Sequence, residues 1–430
     1  MKKSVALILS AGVALASCGD DEDVDTDPVQ SQVDALESCD VAIRGEFYLA
    51  SAVPLTGSDV SFGESMLAAH RVAVESVNSA GGINGRTLGL LACDSGCDET
   101  VALRTVGEIA NVDAIVGSVG PVCSAALIPY ATQGAIPAGL PIVSGSSTSP
   151  LVSTLDDNDL VFRTIVSDAS QGVVLAQVAY DDGARDAYVV ARNDVYGQGL
   201  SASFTVAFEG LGGSATVTLY DEDSPTYASD AIDAAQTANP DVGIVIGFEV
   251  DTGDVLIEAA SRSFKPSIGW LGGEAHISQA FVDRVNDDAF LEGHRGVISG
   301  VSDSPELTRF QTRFRELTGG DPEVNSAHNY DAVYVLAIAA ALSDDPTDRS
   351  QIAANLASGT SSGMSFGAEQ WADIAAAIAG GATSIDYQGA SGPVDFDANG
   401  DVFAPYTGWE VRGGQVVSEG CFNADGSSCD

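Results

Sequence analysis

Between residues 45 and 272 the sequence repeats one unit: a short β-branched or apolar run, a turn of Gly, Ser or Asp, and an amphipathic stretch of helical period. This alternation constrains the fold more than any other feature. Successive strands joined through helices lie parallel, and a parallel sheet needs helices on its faces. The first run predicts strands at 47–53, 87–92, 114–119 and 141–144, separated by helices at 63–78, 98–110 and 124–133. Helix 63–78 sets Met66, Ala69, Ala73 and Val77 on one face, Gly81 and Gly82 stop it, and Asn84-Gly85 turns the chain. The second run predicts helices at 170–180, 198–209, 229–238 and 254–263, with strands at 187–191, 215–219, 242–247 and 267–272. Extended segments at 160–166 and 296–300 fall between the runs and predict connections between two lobes. The fold class is α/β: two Rossmann-like lobes, each with a parallel sheet. Open sheets of this kind bind ligands beyond the carboxyl ends of their strands, so the loops after Val53, Val119, Ser144, Ala191, Gly247 and Gly272 are expected to line an inter-lobe cleft.

The chain carries 61 acidic residues against 18 basic ones, a formal charge of -43 at pH 7. Such a surface repels a phosphate backbone, and no nucleic-acid partner is expected. Lys2 and Lys3 precede an apolar run at 5–16 that is followed by Ser17 and Cys18, the pattern of a secretory signal. The run is shorter than the roughly 20 residues a membrane-crossing helix needs. Its ending, Leu15-Ala16-Ser17-Cys18, resembles the bacterial lipobox. That implies removal of a signal peptide at 1–17 and lipidation of Cys18, with the protein exported and anchored to a bacterial membrane through lipid alone. The acidic stretch that follows repels itself, and 18–43 is expected to be a disordered tether.

Export favours disulfides. Of seven cysteines, Cys39, Cys93, Cys97, Cys123, Cys421 and Cys429 remain once Cys18 is set aside, an even number that suits three bridges. Cys421 and Cys429 flank a turn at 423–426 and are expected to close a local loop in a C-terminal tail, 421–430. No metal is expected, because paired Cys-x2-Cys units and neighbouring histidines are lacking.

The cleft loops hold hydroxyls, aromatics, backbone groups and one carboxylate. Ser124 opens a helix, where its hydroxyl either caps the helix or meets an anion. The loop Ser144-Gly145-Ser146-Ser147-Thr148-Ser149-Pro150 presents small polar groups to cleft or solvent. Gly363-Met364-Ser365-Phe366-Gly367 has nucleophile-elbow spacing but follows an Ala-rich helical segment rather than a strand. Asp395 to Asp401 begins like a calcium loop, yet Tyr406 stands where a bidentate acid is required, so a turn is expected. No cofactor and no enzymatic activity are expected.

Pro54-Leu55-Thr56-Gly57, the run Ala73-Val74-Glu75-Ser76-Val77-Asn78-Ser79-Ala80-Gly81-Gly82-Ile83-Asn84-Gly85-Arg86, Tyr196-Gly197-Gln198-Gly199 and Asn329-Tyr330-Asp331-Ala332 resemble the leucine/isoleucine/valine-binding proteins of ABC importers, over about residues 45–411. The resemblance implies a type I periplasmic binding protein fold with three hinge segments, lobe 1 being 44–165 plus 300–391 and lobe 2 being 166–299 plus 392–420. It implies that the hydroxyls of Ser124 and Thr148 hold a ligand α-carboxylate, while the backbone carbonyl of Ser146 and the carboxylate of Glu274 hold its α-ammonium. A buried zwitterion needs both charges compensated. Phe62, Val122, Tyr196 and Phe248 would form the side-chain pocket, and Asp168, in a matching hinge segment, is expected to cap the next helix. The resemblance pairs Cys97 with Cys123, which leaves Cys39 and Cys93 for each other, a departure from the family. The segment 358–388, rich in Gly, Ser and Ala, is expected as an insertion on the first lobe. The implied function is binding of an amino acid, branched-chain or otherwise apolar, by hinge closure, with an ABC permease as partner and the protein a monomer. A sensory lipoprotein, or a binder of amides, urea or aromatic acids, are the alternatives on the same fold.

Overall fold

The computed structural model describes residues 28–301 and 303–429; the signal segment, Cys18 and the acidic run to Asp27 lie outside the described residues. Strands β1 (Cys39–Ile43), β2 (Phe47–Val53), β3 (Leu88–Asp94), β4 (Ile115–Val119), β5 (Ile142–Ser144) and β6 (Val161–Arg163) form one sheet in the order β1-β3-β2-β4-β5-β6. The chain then builds β7 (Asp186–Arg192), β8 (Ser214–Tyr220), β9 (Val242–Ile246), β10 (Gly269–Gly272) and β11 (Arg295–Ser299). It returns to the first lobe for β12 (Met364–Gly367) and β13 (Ile385–Gln388), and ends with β14 (Tyr406–Arg412) and β15 (Gln415–Phe422). The second large sheet runs β15-β14-β11-β10-β9-β7-β8. Neighbours are parallel except β1 with β3, β11 with β14 and β14 with β15.

Every residue of β2 and β3 is buried, because helices cover both faces of the sheet, so these strands read as continuous apolar runs. Leu90, Val77 and Leu336 pack on one side, and Leu91, Met66 and Tyr130 on the other. The second lobe repeats the arrangement, with Val189, Ile244 and Phe204 on one face and Val190, Val245 and Trp270 on the other. In both lobes the order is the same: β3-β2-β4-β5 matches β8-β7-β9-β10. The strand order therefore reverses between β2 and β4 and again between β7 and β9, and the crevices beyond those strand ends face each other.

Among the described residues three segments cross between the lobes, after β6, after β11 and before β14. Gly300 N donates to Pro405 O at 2.9 Å and Thr164 Oγ1 donates to His328 O at 2.7 Å. His328 Nε2 lies 3.1 Å from Ser299 Oγ, so one histidine of the first lobe touches two of the crossings.

Several expectations are corrected. The tether does not extend to residue 43: Pro28–Val33 is a helix, and β1 pairs antiparallel with β3, with Cys39 opposite Cys93 and the two bonded. Residues 392–401 belong with the first lobe, since the turn ending at Asp401 sits on β6, where Asp401 meets the fully buried Arg163 at 2.6 Å. The C-terminal segment is no separate tail, because β15 continues through Cys421 to Phe422 and Cys421 is bonded to Cys429. The helix expected to reach residue 133 gives way after Tyr130 to a π-helical turn, Ala131–Ala135, one residue beyond an internal Pro129. The 358–388 segment holds β12, the helix Trp371–Ala379 and β13, stapled to the first lobe by buried Trp371, whose Nε1 donates to Gly82 O at 3.0 Å.

Candidate functional site

The opposed crevices enclose a cavity of about 90 Å³. Its walls come from the loops after β2, β4 and β5 in one lobe and after β7, β9 and β10 in the other, the strand ends that flank the two reversals of strand order and their neighbours. All eight residues expected to bind ligand stand on these walls: Phe62, Val122, Ser124, Ser146, Thr148, Tyr196, Phe248 and Glu274. Ser58, Asp59, Ser61, Glu249, Ser278 and the segment Glu323 to Asn325 also line it.

On the first lobe the polar groups are held by neighbouring loops. Ser144 Oγ and Ser147 Oγ each donate to Pro121 O at 2.8 Å, locking the loop after β5 onto the loop after β4. The cap position of the helix Ser124–Tyr130 is held not by Ser124 but by the preceding Cys123, whose backbone is extended and whose side chain makes no cap bond. Cys123 is bonded to Cys97, which fixes the entry to that helix. Ser124 Oγ accepts from Ser149 N at 3.1 Å, which uses a lone pair and leaves its proton for an anion in the cavity. Ser146 Oγ receives a bond from Asn329 Nδ2 at 2.7 Å.

On the second lobe Glu274 lines the cavity. Gln171 Nε2 donates to both its carboxylate oxygens, at 3.1 and 3.0 Å, and Ser299 N donates to Oε1 at 3.2 Å. These bonds orient the carboxylate without neutralising it. Its burial raises its pKa above the ordinary value, opposed in part by those donors. Behind it lies Asp168, 0% exposed. The expectation that Asp168 caps its helix fails: Ser167 is the cap, accepting from Ala169 N, while Asp168 is the first helical residue. Neither Asp168 oxygen meets a donor at hydrogen-bond geometry. Burial first, and then the charge of Glu274, push its pKa well above the usual range, an effect the Thr148 hydroxyl only partly offsets. Two acids thus feel each other's charge, Glu274 on the cavity wall and Asp168 buried off it, an arrangement that favours a cation arriving at Glu274 from outside.

The remaining wall is aromatic. Phe248 lies 5.8 Å from Phe62 across the cleft and 5.7 Å from Tyr196, centroid to centroid. Arg192, at the end of β7, stands over the Phe248 ring at 4.9 Å. Its guanidinium faces Asp194, Asp251 and Glu222 of its own lobe and, at 3.3 Å, Asp59 of the other. Asp59 occupies the cap position of the helix Val60–Ser79 yet makes no cap bond with its side chain, because the carboxylate is turned to Arg192. The Phe62 and Phe248 contact and the Asp59 and Arg192 pair both cross the cleft, so the lobes are closed on each other. Burial raises Asp251 to about 7, opposed by Arg192. Sequence reasoning missed Asp59 and Asn325, although each immediately precedes a helix and stands at a cap position.

Residues 46–401 match the model of a family described as periplasmic binding protein. A chemotactic signal transduction system substrate-binding protein of Halobacterium salinarum is 26% identical over 374 residues, covering 85% of this chain and 86% of that protein. A leucine-binding protein of Thermotoga maritima superposes with a TM-score of 0.72 at 23% identity, covering 88% of this chain and 99% of the other. A solute-binding protein from R. palustris, solved with benzoate, also gives a TM-score of 0.72, at 16% identity over 88% of this chain and 96% of the other.

Proposed function

The chain belongs to the periplasmic binding protein family, and from that premise we propose that it closes its two lobes on an amino acid and delivers it to an ABC permease. The observation that carries this reading is Glu274: an oriented carboxylate on the cavity wall whose bonds come from an amide and a backbone N–H. An α-ammonium supplies the missing positive charge. Opposite it, Ser124 and Thr148 offer hydroxyls to the α-carboxylate, and the Ser146 carbonyl completes the ammonium site. Phe62, Val122, Tyr196 and Phe248 enclose the side chain and favour carbon over charge there. Ligand stabilises the closed form by its higher affinity for the joined walls than for either wall alone.

The protein acts as a monomeric binder, not an enzyme, and needs no cofactor. Cys18 anchors it by lipid on the outer side of a bacterial membrane, with the acidic run to Asp27 as spacer. A benzoate-type ligand suits the aromatic wall but would bring a second negative charge to Glu274. A sensory role without an importer is the second reading, favoured by the 26% identity to the chemotactic relative over most of both chains. Uptake of labelled ligand, lost when the permease is deleted, separates transport from sensing.

Thermal unfolding with each common L-amino acid at millimolar concentration tests the ligand. A ligand at 100 times its Kd adds about 2.7 kcal/mol of stability and raises the midpoint by several degrees. A shift that vanishes in Glu274→Ala supports the reading; no shift with any amino acid refutes it.

A further inference from the structure

We infer that His70, in the core of the first lobe and off the cavity wall, is a positioning residue for the ligand's ammonium site, an inference that rests on the amino-acid reading of this cleft. A chain of buried hydrogen bonds runs from β2 to the loop after β5. Ser51 Oγ lies 2.7 Å from His70 Nδ1, His70 Nε2 lies 3.0 Å from Asn329 Oδ1, and Asn329 Nδ2 donates to Ser146 Oγ at 2.7 Å. Ser51, His70 and Asn329 are 0% exposed, and of the four only Ser146, at the end of the chain, stands on the cavity wall.

The direction of the chain is fixed at Asn329. Its Nδ2 lies 3.0 Å from the backbone carbonyl of Asn325, which can only accept, so the two amide hydrogens serve Asn325 O and Ser146 Oγ, with Met66 Sδ beside them at 2.9 Å. Asn329 Oδ1 therefore faces His70 and needs a donor there. Burial lowers the His70 pKa to about 4, so the ring is neutral at pH 7 and carries one nitrogen-bound hydrogen. Nε2 must hold it, and Nδ1 accepts from the Ser51 hydroxyl. Turning the Asn329 amide over would set its oxygen against the Asn325 carbonyl and its NH2 against Nε2–H, so this tautomer holds the amide in one orientation.

Asn329 in turn holds the loop. A Cβ on Gly145 would lie 2.6 Å from Asn329 N and Cα, so the loop passes directly against that residue. Ser144 and Ser147 are tied to Pro121 O. Between these ties the Ser146 hydroxyl accepts from Asn329, and its own proton is left for Met66 Sδ at 3.7 Å, a weak acceptor. The Ser146 carbonyl, expected to meet the ligand's ammonium, thus takes its place from Asn329, and Asn329 takes its orientation from His70. An apolar side chain at position 70 would strand the Asn329 oxygen and the Ser51 hydroxyl in the core and free the amide to turn.

Calorimetric titration of the full chain tests this with leucine against 4-methylpentanoate, which lacks the ammonium, and with threonine against 3-hydroxybutanoate. In His70→Leu the preference for the amino acid over its deaminated counterpart is expected to fall about tenfold or more, while the deaminated acid's own Kd stays within about threefold. In His70→Gln, which keeps a donor toward Asn329, the preference is expected to stay within about threefold of the parent protein's. A general loss of packing weakens both members of a pair alike and does not move this ratio. The parent protein supplies a second readout should His70→Leu fail to fold. Nitrogen NMR of its imidazole is expected to show the hydrogen on Nε2 at pH 7 and a resonance that moves when an amino acid binds. An unchanged preference in His70→Leu, an equal loss in His70→Gln, the hydrogen on Nδ1, or an Nε2 resonance unmoved at saturation overturns the inference and leaves the amino-acid reading standing. Binding of none of the four ligands, or no preference for the amino acids in the parent protein, overturns both.

Discussion

The first lobe meets the cleft with hydroxyls and backbone groups on loops tied by a disulfide, and the second meets it with an acid, a phenol and a phenyl ring. The strand order is the same in both, so the difference lies in what each loop carries. On the first wall Ser124 and Thr148 are neutral and already positioned, Ser124 by Ser149 N and the Cys97–Cys123 bond. On the second, Glu274 presents a carboxyl group that has no cation beside it, and the buried Asp168 adds a second acid near it. The neutral wall can stand open to water at little electrostatic cost, whereas the charged wall gains most when a ligand's ammonium reaches it. The lobes thus divide capture from locking.

The sharpest way to break this comparison is Glu274→Ala. Removing one partner of a buried charge pair costs about 2–5 kcal/mol, so affinity for an amino acid is expected to fall roughly 30-fold to several thousand-fold by calorimetry. Ser124→Ala on the neutral wall should cost less, about 1–2 kcal/mol. If Ser124→Ala proved the more damaging, the division of labour would be wrong.

A second contrast concerns stability. Replacing Cys97 and Cys123 by Ser opens a loop with a sequence separation of 26 and should lower the unfolding free energy by about 3 kcal/mol in denaturant titration. Glu274→Ala should leave that free energy nearly unchanged or higher, because it removes a buried acid that lacks a cation in the empty protein.

Proton linkage gives smaller effects of definite sign. Asp251 has a pKa of about 7 in the fold, above its ordinary value of 3.8. The native state therefore takes up the proton first. The resulting stabilisation is full below the lower value and is lost as pH rises through about 7. Asp251→Asn should remove this part of the profile, so its stability relative to the parent protein rises between pH 4 and 8, read by denaturant titration at each pH. Glu274 follows the same direction in the empty protein but must ionise to hold an ammonium, so ligand affinity should rise with pH until it is deprotonated.

The smallest effect is expected at Asp59→Asn. Arg192 keeps Asp194, Glu222 and Asp251, so loss of the cross-cleft partner should cost about 1 kcal/mol or less. It should appear as a larger radius of gyration in solution scattering without ligand, and an unchanged radius would show that this pair does not hold the lobes together.

Both lobes were legible in the sequence because the βα repeat is strong, and the bounds of β2 coincide with the expected 47–53. What was hidden had weak local signals. β1 is five residues long and begins at Cys39, shortly after the six-residue helix Pro28–Val33, so only its antiparallel partner β3 gives it meaning. Helix Ser326–Ala341 is buried at every position, so it shows no polar face and its start carries no periodic cue. Asn325 and Asp59 both read locally as cap residues, and only tertiary structure turns one toward the cavity and the other toward Arg192. Asp168 was read as a cap for the same reason, while its neighbour Ser167 makes the bond.

The central claim is that a zwitterion fills this cleft, with Glu274 answering its ammonium. The most direct measurement compares leucine with 4-methylpentanoate, the same molecule lacking the ammonium, by calorimetric titration of the full chain, with threonine and its deaminated counterpart 3-hydroxybutanoate as a second pair. Binding of an amino acid at least 100-fold tighter than its deaminated counterpart is the predicted result. Equal or tighter binding of the deaminated acid would contradict the account and assign the cleft to simple carboxylic acids.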